Sequence, residues 1–260
     1  MTDVHRASDA ERKAATRREK IPIFRVLAAI ALPLVGILAK LHIRGQENVP
    51  ATGAFVVAPN HYSEIDPIIT GVTMWKVGRM PRYLAKASVF RIPVIGWLLH
   101  KSGQIPVERT GAGKGGSALA SAKKVAENGL AVVIYPEGTL TREPDLWPMR
   151  GKTGAVRIAL QENLPVIPLA HWGTQAIMPR YARRISFFPR KNVHLLYGPP
   201  VDLDEFRGKP LEPELLIAAT DRVMDAITVL LEELRGETAP AHRWDPAEHN
   251  QKETGRFESR

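Results

Sequence analysis

At 260 residues, 44% of them apolar, the chain is long enough to bury one large α/β core. It has no cysteine, which excludes disulfides, thiolate metal sites and a cysteine nucleophile, and its eight histidines lack ligand spacing, so no metal is expected. A formal charge of +9 calls for an anionic partner: nucleic acid, an anionic membrane or a phosphorylated substrate.

Residues 1–20 carry both signs of charge without an apolar face and read as a mobile, frayed helical lead-in. Residues 21–45 read as a membrane-associating helical segment. Its charge-free run from 26 to 39, interrupted by Pro33 and Gly36, is shorter than the roughly 20 residues a bilayer crossing needs. Such a run fits an interfacial helix or a helix packed on the domain. Acidic residues before it and Lys40 after it argue against a signal peptide.

Residues 54–59 form an apolar run expected as a buried strand, and the apolar residues after Pro67 are expected as a helix. Between them, Asn60-His61-Tyr62-Ser63-Glu64-Ile65-Asp66-Pro67 sets a histidine and a carboxylate on a strand-to-helix turn. On a continuous helix, residues five apart point about 140° from each other, so only a turn brings these two together. A carboxylate bonded to one ring nitrogen fixes the tautomer and leaves the other nitrogen to take a proton from a hydroxyl. Asp66 before Pro67 reads equally as a helix N-cap. Backbone N–H groups near the turn are expected to serve a developing oxyanion.

Further along, Lys76, Arg79, Arg82, Lys86, Arg91 and Lys101 meet no acid before Glu108, and Phe90, Ile92, Val94, Ile95 and Trp97 run among them. Cations bordering an apolar, tryptophan-bearing stretch fit anionic lipid. Strands are expected at 82–86, 104–108, 131–135, 166–170 and 193–197, and helices at 114–128, 154–163 and 214–234. This alternation predicts an α/β fold with a mainly parallel central sheet flanked by helices, and function at the strand ends. Arg109 ends one strand and offers either a phosphate-binding fork or a surface ion pair. Tyr135-Pro136-Glu137-Gly138-Thr139 runs from another strand into a turn. Glu137 there binds a substrate hydroxyl or a cation, or simply sits in a type II turn. A second such group, Arg180, Arg183, Arg184, Arg190 and Lys191 interleaved with Tyr181, Phe187 and Phe188, fits anionic lipid in the same way. No helix-turn-helix, RNP or zinc signature accompanies it, and no nucleic acid partner is expected. Residues 236–260 lack apolar periodicity and read as a disordered tail.

Four stretches, in order, carry a resemblance: Asn60-His61 with Asp66, then Gly103 through Glu108-Arg109, then Pro136-Glu137-Gly138-Thr139, then Val166-Ile167-Pro168. Together they resemble the glycerophospholipid acyltransferase family, the lysophosphatidic acid acyltransferases and their relatives, over about residues 40–200. The resemblance implies residues 46–235 as an acyltransferase domain. It implies transfer of a fatty acyl group from acyl-CoA or acyl-carrier protein to a lysophospholipid acceptor, most simply 1-acyl-glycerol-3-phosphate, with glycerol-3-phosphate or another lysolipid as the alternative acceptor. It further implies His61 as base, Asp66 as its orienting partner, and Asn60, Lys86, Arg109, Glu137, Gly138 and Thr139 as substrate-binding residues. No bound cofactor is implied. The expected location is an anionic membrane surface on the cytoplasmic face of the cell membrane. A catalytically silent anionic-lipid-binding protein, or a thioester hydrolase, would use the same features without acyl transfer. One departure stands out. The family continues Pro-Glu-Gly-Thr with Arg and Ser, where this chain has Leu140 and Thr141, leaving Arg142, Arg150 or Lys152 to supply the missing charge.

Overall fold

In a computed structural model that describes residues 9–107 and 123–252, the apolar runs become the central strands of one sheet. In chain order the elements are α1 (Asp9–Glu19), α2 (Pro22–Leu38), β1 (Ala39–Arg44), β2 (Phe55–Pro59), α3 (Asp66–Lys76), β3 (Pro81–Lys86), α4 (Ile95–Lys101), β4 (Ile105–Val107) and β5 (Ala131–Val133). They continue with α5 (Gly154–Gln161), β6 (Val166–Trp172), β7 (Lys191–Tyr197) and α6 (Pro213–Arg235). Residues 123–127 are helical, and the rest of the helix expected at 114–128 lies outside the described residues.

The strand order is β1-β7-β6-β2-β5-β3-β4. Every neighbouring pair is parallel except β6 with β7. β2 shows why the centre of the sheet reads as continuous hydrophobicity. Phe55 and Val57 point into a core shared with α2 and α3, while Val56 and Ala58 point into a second core shared with α5 and α6. α6 meets that second core through Leu216, Ala219, Val223 and Ile227, spaced three and four apart. Pro213 opens this helix and Gly236 closes it.

Three expectations need correction. Residues 21–45 are not all helical, because β1 follows α2 directly and pairs with β7 at the sheet edge. The tail is not disordered from 236 to 252. Arg243 bridges Asp221 and Asp225 on α6, the Arg150 N–H donates to the Trp244 carbonyl at 2.8 Å, and Trp244 stacks on His249. The third concerns the basic stretch before Glu108, since Arg79 and Arg82 are buried rather than offered to lipid. Arg79 donates to Glu19 at 2.6 Å and to the carbonyls of Pro50, Gly53 and Gly129, and its guanidinium lies over Phe55. Glu19 also accepts the Met80 N–H at 2.9 Å. The lead-in helix is therefore pinned at its last residue by a buried, multiply bonded ion pair.

Candidate active site

The C-terminal ends of β2, β5 and β6 meet at one end of the sheet, where a parallel arrangement gathers functional groups. β2 delivers Asn60 and His61, and the chain turns back through Ser63 into α3. The turn is held by Asp66 itself. Its Oδ2 accepts from His61 Nδ1 at 3.0 Å, from the Tyr62 N–H at 2.9 Å and from the Ser63 N–H at 2.8 Å. Its Oδ1 accepts from the Thr174 hydroxyl at 2.6 Å. These backbone donors precede Asp66 in the chain, so the carboxylate closes the turn behind it and makes no side-chain cap on α3. The Tyr62 and Ser63 N–H groups are spent on Asp66, and that of His61 on Glu137, so these three are not offered to an oxyanion.

Asp66 is fully buried. Burial alone would raise its pKa. His171, His61 and Thr174 pull the other way and leave it below its ordinary value. The His171 contribution needs a charged ring, yet burial lowers the His171 pKa against the pull of Asp66 and Asn60. A neutral His171, with Nε2–H donating to the Asn60 carbonyl at 2.8 Å, fits the bonding best. The donors from His61, Thr174 and the backbone are then what hold Asp66 ionised at neutral pH. With Nδ1 committed to Asp66, His61 keeps Nε2 as its basic nitrogen. The His61 ring lies 4.2 Å from that of Tyr135.

Asn60 and Glu137, expected to bind substrate, are both buried and bonded to the main chain around His61 and His171. Asn60 is buried, with its amide clamping the main chain of His171: Oδ1 accepts the His171 N–H at 2.9 Å and Nδ2 donates to the His171 carbonyl at 3.1 Å. Glu137 is also buried, accepting the His61 N–H at 3.0 Å and the Met149 N–H at 3.1 Å. The Thr141 N–H donates to the His61 carbonyl at 2.7 Å. The Pro-Glu-Gly-Thr turn and Thr141 just after it thus fix the main chain of the histidine from both sides. Burial pushes the Glu137 pKa up to about 8, against the pull of the Met149 and His61 N–H groups and Thr141. The turn is not type II, since the left-handed φ of +69° falls at Gly138 and not at Glu137.

Gly138, Thr139, His61, Tyr135 and Lys152 line one end of a groove of about 1020 Å³. Its remaining walls are mostly apolar and come largely from α2, α3, α4 and β3, with Leu27, Ala31, Ile68, Leu84 and Leu98 among them and Glu64, Ser102 and Gln104 as the polar exceptions. Leu140 is buried in this wall at the position of the family arginine. Of the three cations able to replace it, Arg142 is buried away from the groove, and Arg150 faces Asp245 at 3.4 Å. Lys152 borders the groove, and its stem crosses Gly138 so closely that a Cβ there would lie 3.0 Å from Lys152 Cδ. Lys86 ends β3, with its side chain outside the described residues, and Arg109 lies outside them altogether. Ser63 is no nucleophile: its buried hydroxyl donates to the Met178 carbonyl at 2.6 Å.

Three contributors escape a reading of the sequence, and a fourth is narrowed down by the structure. Lys152 was one of three candidates, while Tyr135, His171 and Thr174 were not singled out. His171 and Thr174 sit at and just past the end of β6, where a polar residue after an apolar strand is the available signal. Gly173 between them has a φ of +116°, and a Cβ there would lie 2.3 Å from the Asn192 carbonyl, so only glycine lets Thr174 reach Asp66.

A family profile described as Acyltransferase matches residues 40–172. The chloroplastic 1-acyl-sn-glycerol-3-phosphate acyltransferase BAT2 of Brassica napus is 31% identical over 185 residues, covering 69% of this chain and 52% of that protein. The 1-acyl-sn-glycerol-3-phosphate acyltransferase of Bacillus subtilis strain 168 is 31% identical over 191 residues, 72% of this chain and 86% of that one. The chain spans about half the length of the plant relatives it matches, 52% and 44% for the Brassica napus and Arabidopsis thaliana proteins. The crystal structure of the 1-acyl-sn-glycerophosphate acyltransferase PlsC from Thermotoga maritima shares the fold with a TM-score of 0.61. It is 22% identical and covers 91% of this chain and 87% of that one.

Proposed function

From the premise that the chain belongs to the acyltransferase family, we propose that it transfers a fatty acyl group from a thioester donor, acyl-CoA or acyl-carrier protein, to the hydroxyl of 1-acyl-glycerol-3-phosphate. The observation that carries this reading is the His61–Asp66 pair at the polar end of the apolar groove. His61 Nε2 takes the proton of the acceptor hydroxyl. The oxygen then attacks the thioester carbonyl, and the imidazolium is stabilised by Asp66. As the C–S bond breaks, the departing thiolate receives that proton from the imidazolium. The nucleophile arrives with the acceptor, in keeping with the Ser63 hydroxyl being engaged elsewhere and with the lack of cysteine. The apolar walls suit an acyl chain, and Lys152 beside Gly138 suits the acceptor's phosphate, in the role the family gives to arginine.

The proposed place of action is an anionic membrane surface on the cytoplasmic face. Among the described residues no helix is long and apolar enough to cross a bilayer. α2 nonetheless exposes Val26, Ile30, Leu34 and Ile37 along one side, and Ile92, Val94, Ile95 and Trp97 stand exposed beside the groove.

The test is release of free thiol with acyl-CoA and with acyl-carrier protein, each against 1-acyl-glycerol-3-phosphate, glycerol-3-phosphate and water. Acceptor-dependent release that forms phosphatidic acid is expected. His61→Ala should lower it by about 10²- to 10⁴-fold in a folded protein. Release that is equal without acceptor points to a hydrolase, and near-normal transfer by His61→Ala removes the proposed base.

A further inference from the structure

Between α2 and β7 the surface carries a feature that acyl transfer itself does not use. From Tyr181 to Lys191 the chain contains Arg183, Arg184, Arg190 and Lys191 and no acid. Within it Phe188 is 80% exposed, Phe187 48% and Ile185 40%. The loop is braced from beneath. The Ser186 N–H donates to the Ile177 carbonyl at 2.8 Å, Lys191 Nζ donates to Ser186 Oγ at 2.9 Å, and Arg190 donates to the Ala39 carbonyl at 2.9 Å. Two adjacent phenylalanines, one half-exposed and one mostly exposed, beside an exposed isoleucine make an apolar patch of the kind that marks an interaction site.

Topology puts this loop at the working end of the sheet. β7 runs antiparallel to β6, so it starts where β6 ends, beside His171 and Thr174. β1 pairs in parallel with β7, and Ala39 lies opposite Lys191. Ala39 directly follows Leu38, the last residue of α2, and Ile37 in that last turn is 53% exposed. The aromatic tip therefore continues the exposed apolar side of α2 around the edge of the sheet.

We infer that the loop of residues 181–191 is a second docking point for an anionic bilayer: Phe187 and Phe188 enter the acyl boundary while Arg183 and Arg184 meet lipid phosphates. Aromatic residues flanked by cations, with no acid among them, match the chemistry of an anionic interface, where each basic residue and each buried apolar group adds to the affinity. With α2 as one contact and this loop as another, the protein would be held with the strand ends toward the lipid. This inference rests on the membrane reading above, and the experiment separates the two.

Binding of the full chain to phosphatidylcholine vesicles with and without added phosphatidylglycerol is measured by co-sedimentation for wild type, Phe187→Ser/Phe188→Ser and Arg183→Gln/Arg184→Gln. Thermal melts confirm that the variants are folded, and turnover on a short-chain acceptor dispersed as monomers serves as control. Wild type should bind the anionic vesicles, and each double variant should bind on the order of tenfold more weakly with unchanged turnover on the dispersed acceptor. The arginine variant should lose its deficit at high salt, whereas the phenylalanine variant should keep its own. If wild type binds and both variants match it, the loop proposal is overturned while the membrane reading stands. If wild type ignores anionic vesicles, the membrane reading falls and takes the loop with it. If the variants lose affinity for single-stranded RNA instead, the loop is a nucleic-acid surface and the proposal is wrong.

Discussion

Asp66 does two jobs with two oxygens. Oδ2 gathers the imidazole and two backbone N–H groups, and Oδ1 takes the Thr174 hydroxyl, so the carboxylate shapes the turn that makes it His61's neighbour. The pair was legible in the sequence from its spacing and its strand-to-helix setting, but the Thr174 donor, more than a hundred positions away, was not. Lys152 is a similar case. The missing family arginine marked a gap, and three cations lay near enough in sequence to fill it. Only packing singles out Lys152, because Leu140 is buried in the wall and Lys152 crosses Gly138 at the groove. Lys152→Gln should raise KM for 1-acyl-glycerol-3-phosphate on the order of tenfold, the usual scale for a charge-assisted bond. Acceptors lacking phosphate should respond much less, and equal losses on both acceptor types would show that Lys152 does not meet phosphate.

At the scale of elements, α2 is the one whose role changed most. Its length and lack of charge suited a membrane-associating segment, and its outer residues are exposed in keeping with that. Leu27 and Ala31, together with the exposed Ile30 and Leu34, also wall the groove. A helix is a cylinder, and hydrophobicity around its whole circumference does not say which side meets protein and which meets lipid. Ala31→Trp places bulk in the groove without adding charge. Turnover with long-chain donors should drop severalfold relative to short-chain donors, and a uniform loss across chain lengths would argue against the groove holding the acyl chain. β1 was hidden for a related reason. Lys40, His42 and Arg44 alternate with Leu41 and Ile43 at the sheet edge, a two-residue period masked by the apolar run before it. α6, buried along one stripe and capped at both ends by proline and glycine, was readable almost to the residue.

For the whole molecule, the buried Glu137 ties the site to global stability. In the native protein it keeps its proton up to about pH 8, whereas an ordinary glutamate releases it near 4.5. Between these values the native state binds more protons than the unfolded chain, so this group lowers stability as pH rises, by up to about 1.4 kcal/mol per pH unit, and the loss levels off above pH 8. Glu137→Gln removes that slope at the cost of one bond to a backbone N–H, so its melting temperature relative to wild type should climb as the pH is raised from acid toward about 8. A constant offset over that range would mean that Glu137 is ionised throughout. Asp66, with its lowered pKa, contributes in the opposite sense in both proteins, through stability that is lost only as acid protonates it. What the sequence determined by itself was set by local signals and their order along the chain: strand and helix periods, the His61–Asp66 turn, the α/β class that their alternation implies and the succession of four motifs. The tertiary structure alone decided that Asn60 and Glu137 serve the scaffold, that Lys152 borders the groove, that residues 236–252 pack on α6 and that His171 and Thr174 stand behind Asp66. Those outcomes depend on which buried polar group meets which partner across the sheet, and a chain read in one dimension carries no distance between them.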